Sequence, residues 1–205
     1  MSKVVIQGHA SGSGDFTIAA PNSNTDRTLT LPDAGGTLDR LDRTGNALQI
    51  VSTTKTDVGS FTSTTTNNYV DIPGMTVTIT PTSTSSKILV TYTAHVCNST
   101  SATVHVRLYR DSTSIGQGAA EGNRLGDSSI FRPASSPYGL DIGCVSNLFL
   151  DAPSTTSAVT YKLQGTLGST YNGTFYINRS PNDASTNQDY SGRPSSTITV
   201  MEIAG

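Results

Sequence analysis

His95 and His105 are the side chains of this sequence whose spacing most invites shared chemistry. They lie in KILVTYTAHV and ATVHVRLYR, on either side of the short connection CNSTSA. If these runs form a hairpin with matched apolar faces, the numbers of paired residues sum to an even value. A sum of 200 then sets His95 across from His105 on the outer face. Two imidazoles so placed could hold a metal or respond to pH near neutrality. Two exposed imidazoles with no such role satisfy the pattern equally, so no metal is assigned and this pair stands as a candidate. SPNDASTNQD gathers Asn182, Asp183, Asn187 and Asp189 in one stretch. That donor set suits calcium, and it suits an ordinary turn as well.

Catalytic patterns are wanting. A Ser/His/Asp site needs a base within reach of its nucleophile and a third group to orient it. None of the three histidines, His9, His95 and His105, stands in a recognisable catalytic context. A glycosidase needs two carboxylates flanking a cleft, and nothing in the order of residues pairs Asp71, Asp111, Glu121, Asp141, Asp151 or Glu202. GHASGSGD has a GxG but neither a preceding Rossmann-type strand nor a following helix, so it reads as an arm rather than a phosphate loop. We read the chain as non-enzymatic and expect no cofactor.

Binding chemistry is better represented. GSTYNGTFY, SPYG and NQDYSGRP mix Tyr with Ser, Gly and Asn, a combination suited to adaptable contacts. Tyr138, Tyr171, Tyr176, Tyr190 and Arg193 are the candidates for contact with a glycan. Sequons at Asn98, Asn172 and Asn178 read as chance matches in a chain so rich in Ser and Thr.

The elements that must position these groups are strands. Ser and Thr make up roughly 29% of the residues and charged residues only 14%, against about a quarter charged in ordinary domains. Apolar residues recur with period two in most of the chain beyond Leu48. Ile88, Val90, Tyr92, Ala94 and Val96 share one face; Val104, Val106 and Leu108 share another, as do Val159, Tyr161 and Leu163, and Phe175 with Ile177. In YGLDIGCVSNLFL the apolar parity runs through Leu140, Ile142, Cys144, Leu148 and Leu150. STITVMEIA is also a strand, with its parity open after Val200. ITPTSTSSKILVTY and LDAPSTTSAVTYKL repeat one plan: strand, proline, Ser/Thr run, strand. Strands with one apolar and one Thr-rich face pack as two antiparallel sheets. The expectation is an all-β fold: an antiparallel β-sandwich head, jelly-roll-like, over residues 48–205. An extended N-terminal β arm occupies residues 1–47. Cys97 and Cys144 read as plain thiols.

That arm contains FTIAAPNSNTDRTLTLPDAGGTL, two short alternating stretches stopped by Pro21 and Pro32 and turned at Gly35-Gly36. Strands this short are marginal alone, so the arm makes sense when completed by other chains. Phe16, Ile18, Leu29, Leu31, Leu38 and Leu41 are the candidate anchoring and oligomer contacts. Leu38 and Leu41 fall at helical spacing and suggest a turn or two of helix before Gly45.

Formal charge is −2 and the basic residues are scattered, so a nucleic-acid partner is not expected. No apolar run is long enough to span a bilayer. Val4 to Ile6 is too short for a secretory h-region, which predicts assembly in a cytoplasm.

The arm DFTIAAPNSNTDRTLTLPDAGGTL resembles a segment of tail-fibre and other appendage proteins of tailed phages. RLYRDSTSIG and STITVMEIA, with SSKILVTYTAHV, resemble C-terminal domains of virion proteins from marine and freshwater phages, cyanophages in particular. The resemblance implies a short tail fibre or fibre-like virion appendage: a homotrimer, attached to other virion proteins by its arm, whose heads meet host surface glycans during adsorption. Its place would be the virion, assembled in the host cytoplasm. A capsid decoration or head-fibre protein, and a free lectin-like carbohydrate-binding module, are the alternatives.

Overall fold

The computed structural model describes residues 11–12, 24, 43–63, 68–133, 141–168, 172–183 and 192–205. The chain divides into two compact units, Met1–Leu38 and Asp39–Gly205. In the first, the described Ser11, Gly12 and Asn24 are exposed. The arm contacts Phe16, Ile18, Leu29, Leu31, Leu38 and Leu41 lie outside the described residues, as do Tyr138, Tyr171, Tyr190, Asn187 and Asp189.

The second unit is all-β among its described residues. Its strands are β1 (Ala47–Lys55), β2 (Gly59–Ser63), β3 (Val70–Ile79), β4 (Lys87–Asn98), β5 (Val104–Arg110) and β6 (Thr113–Ile115). They continue with β7 (Ser129–Phe131), β8 (Gly143–Asp151), β9 (Val159–Leu167), β10 (Gly173–Ile177) and β11 (Ser196–Ile203). Every pairing between them is antiparallel.

Three pairs of these are one strand interrupted. β1 pairs β11 while β2 pairs β10, and both β10 and β11 pair the same side of the sheet partner β4, whose remaining partner is β8. The first sheet therefore runs β1/β2, β11/β10, β4, β8. Asn178 fixes the interruption: its Nδ2 donates to the carbonyls of Lys55 and Asp57, both at 2.9 Å. The second sheet runs β3, β9, β5, then β6 and β7 end to end. Counted in this way, eight strands form two four-stranded sheets, the chain crossing between them at every connection except β5 to β6, in the order of a jelly roll. The two Pro-Ser/Thr connections, 80–86 and 152–158, both carry the chain from one sheet to the other.

The apolar parities meet between the sheets. Ile88, Val90, Ala94 and Val96 of β4, with Phe175 and Ile177 of β10 in the same sheet, face Val104, Val106, Leu108, Tyr161 and Leu163 of the other, all buried. Each such side chain contributes about 1.5–3 kcal/mol on full burial. Phe61 stacks on Phe175 with centroids 4.6 Å apart. β3 changes parity midway: Ile72 is buried, then Met75, Val77 and Ile79. The cause is a bulge at Pro73-Gly74, where Gly74 adopts φ +75° and the register slips between Asp71 and Thr76. β3 is an edge strand, where a proline is tolerated.

Two expectations are corrected. β4 and β5 do not form a hairpin; they belong to opposite sheets, so His95 and His105 are not neighbours. The buried Asn98 redirects the chain, accepting from the Thr100 amide at 2.7 Å and donating to the Ala102 carbonyl at 2.9 Å. On β8 the parity is the reverse of the one read from its apolar residues. Gly143, Val145 and Asp151 are buried, while Cys144, Leu148 and Leu150 are exposed. Phe131 packs so tightly over Gly143 that a Cβ there would lie 2.2 Å from its ring. Asp151 is drawn inward by Arg110 and by the Tyr161 hydroxyl at 2.7 Å. A shift of one residue turns every side chain of a strand to the other face. On β11, Ser196, Ile198, Val200 and Glu202 point inward, and Met201 and Ile203 outward.

Candidate functional site

The parity of β8 gives the first sheet an unusual outer face. Ile50, Met201, Leu89 and Leu150 stand in one cross-strand row. The next row is Ser52, Thr199, Thr91 and Leu148, and the next Thr54, Thr197, Thr93 and Ser146. Hydroxyls pair along these rows, Ser52 with Thr199 at 2.8 Å and Thr54 with Thr197 at 3.2 Å. No charged side chain stands in the three rows, and Ile50, Leu148 and Leu150 are 60, 62 and 54% exposed.

The outer face of the second sheet is built oppositely. Asp71 of β3 accepts from Lys162 at 2.9 Å and from Gln164 at 2.6 Å, both on β9. On β5, His105 and Arg107 point outward beneath the segment 116–128. His105 Nδ1 lies 2.8 Å from Asp127 Oδ2. The Tyr69 hydroxyl donates to the other carboxylate oxygen, and burial followed by this bond raises the phenol's pKa well above its ordinary range. Arg107 donates from Nε to the Gly126 carbonyl at 2.7 Å, approaches Asp127 at 3.7 Å and stacks 3.9 Å over the Tyr69 ring. Because Asp127 accepts, the imidazole carries its proton on Nδ1 and Nε2 is left for another partner.

His105 and Asp127 line a cavity of about 770 Å³ together with Arg124, Arg132, Asn123 and Ile130. The volume falls in the range of small-ligand pockets. Positioning is local. Glu121 and Arg124 exchange backbone hydrogen bonds across a tight turn, and Gly118 donates to the Asp127 carbonyl at 3.0 Å. The Ser129 hydroxyl of the cavity wall turns inward to Tyr92 at 2.7 Å. No hydroxyl among the described residues is hydrogen-bonded to His105.

The other sequence candidates fall elsewhere. His95 lies on the first sheet opposite Cys144, and its Nδ1 donates to the Ser195 carbonyl at 2.8 Å. Tyr176 and Arg193 sit in one surface chain. Arg179 stacks over Tyr176 at 4.8 Å and reaches Asp183 at 3.5 Å. Arg193 grips both Asp183 oxygens at 2.8 Å, which holds that carboxyl below its ordinary pKa. Asp183, a candidate calcium ligand, is thereby occupied. Sequence reading missed the cavity because Asp127, Arg124 and Arg132 belong to a stretch with no periodicity.

No protein-family model matches this chain, and no curated protein matches it. Among solved structures, that of infectious bursal disease virus strain Gx aligns with 86% of this chain and 42% of its own, at 12% identity and a TM-score of 0.39. The Gt strain structure aligns with 88% and 43%, at 12% identity and a TM-score of 0.39. The VP2 subviral particle of the same virus aligns with 88% and 42%, at 12% identity and a TM-score of 0.32. The chain thus spans less than half the length of these proteins.

Proposed function

We propose that this chain is a non-enzymatic virion structural protein, a fibre-like appendage that takes part in adsorption to a host surface. The observation that carries this reading lies on the outer face of the first sheet, where the row Ile50, Met201, Leu89 and Leu150 and the next two rows carry no charge. An antiparallel sheet with one solvated face ordinarily turns charged and polar residues to water. A face of Thr rows crossed by large aliphatic side chains is suited to cover by protein. Lacking charge, these three rows meet copies of themselves without like-charge repulsion, Lys87 standing beyond their end opposite Ile203, which favours a homotrimer packed around this face. The charged outer face of the second sheet, with its cavity, is then left facing outward.

The arm bearing Phe16, Ile18, Leu29, Leu31, Leu38 and Leu41 attaches the trimer to other virion proteins. The test is location. Antibodies raised against residues 39–205 should label tail appendages on purified particles of the virus that encodes the chain. Labelling of heads would establish the capsid-decoration alternative, and particles free of the protein would overturn a virion role.

A further inference from the structure

We propose that the cavity between β5 and the segment 116–132 binds an acidic saccharide, one carrying a carboxylate or a sulfate. This names a ligand class for the adsorption reading above and rests on that reading for its biological role. The charge balance of the cavity points to an anion. Asp127 is already satisfied, by Tyr69, by His105 Nδ1 at 2.8 Å and by the nearby Arg107. Arg124 and Arg132 line the same cavity, are exposed, and form no ion pair with any described carboxylate. Two guanidinium forks with no ion-pair partner among the described residues are matched to a planar carboxylate or a sulfate.

The rest of the lining favours a sugar over an acidic peptide. Asn123 and Thr103 offer an amide and a hydroxyl to ring hydroxyls, and Ile130, 60% exposed, offers an aliphatic edge to a sugar's C–H face. His105 Nε2 lies beside Gly168, where an added Cβ would stand at ordinary contact distance, 3.5 Å from it. That nitrogen is the ring atom left free by the bond to Asp127. A hydroxyl-rich anion uses the amide, the hydroxyl and the aliphatic edge together with the guanidiniums, whereas an acidic peptide would use the guanidiniums alone.

Isothermal titration of the full chain against trigalacturonate, a heparin hexasaccharide, maltotriose and a tri-glutamate peptide tests this. At least one acidic oligosaccharide should bind about tenfold or more tightly than both maltotriose and the peptide. The double variant Arg124→Ala/Arg132→Ala should lose about tenfold in that affinity with its thermal midpoint unchanged, both side chains being exposed. Equal binding of maltotriose, preference for the peptide, no binding by either acidic sugar, or an unaffected double variant would each overturn the proposal. Particle labelling is read independently. A chain present on particles that binds no acidic sugar loses this inference alone; a chain that binds but is absent from particles loses the virion role alone.

Discussion

Glu202 of β11 accepts two hydrogen bonds from Thr82, one from the backbone amide and one from the hydroxyl, each at 2.7 Å. Its other oxygen accepts from Gln49 Nε2 at 2.6 Å. The carboxylate, fully buried, thereby ties β1 and β11 to the connection leaving β3. Burial by itself would push this carboxyl up. The bonds from Gln49 and Thr82 outweigh that effect and hold the pKa down to about 2, from its ordinary 4.5.

A carboxyl depressed on folding stabilises the protein above its unfolded pKa and ceases to as pH falls through the folded one. The contribution of Glu202 should therefore be whole above pH 4.5 and be lost between 4.5 and about 2. Urea unfolding across that window should show it, and Glu202→Gln should flatten that limb. At pH 7 the same variant should be less stable by about 1.5–3 kcal/mol, the range for hydrogen bonds to a charged group. An acid limb identical in both proteins would show that Glu202 does not carry it.

Arg110 closes the same end of the sandwich from the second sheet, with Nη1 2.9 and 3.0 Å from the two oxygens of Asp151. Asp151 is only 6% exposed. Arg110→Ala would leave that charge with the Tyr161 hydroxyl and little else. The expected loss is about 3 kcal/mol, the lower end for breaking a buried pair because Arg110 itself is partly exposed. A fall in urea midpoint with an unchanged slope would confirm it; a loss under about 0.5 kcal/mol would place the pair with ordinary surface ion pairs.

The two cysteines should behave differently. Cys97 is buried, and that burial pushes its thiol up to about 11, so it offers almost no thiolate at neutral pH. Cys144 is exposed on the outer face of the first sheet. A thiol reagent at pH 7.5 should modify no more than one cysteine per native chain, Cys144, and reach Cys97 only with unfolding. Rapid labelling of both in the native protein would contradict the placement of Cys97.

The sandwich was legible where one parity was apolar and the other was not. β4, with Ile88, Val90, Tyr92, Ala94 and Val96, is the clearest case, and its sequence pattern and its burial agree. β8 was misread because it carries aliphatic residues on both parities, and its inward set is decided by Phe131 over Gly143 and by Arg110 on Asp151, contacts distant in sequence. The supposed His95–His105 pair failed for a related reason. Period two tells which way a side chain points along its own strand, but not whether the next strand pairs in that sheet or crosses to the other. The cavity was illegible since a lone Asp127 between Gly126 and Ser128 has no spacing to announce it; only proximity to Tyr69 and His105 gives it a role.

Assembly through the outer face of the first sheet is the central claim, and the mass of the full-length chain in solution tests it most directly. Light scattering behind size exclusion should return three times the 21.4 kDa chain mass. Leu150→Glu, placing a charge opposite Leu89 at an already exposed position, should return the single-chain mass with stability changed by no more than about 0.5 kcal/mol. A wild-type chain that stays at 21.4 kDa at tens of micromolar, or a trimer indifferent to Leu150→Glu, would contradict the account.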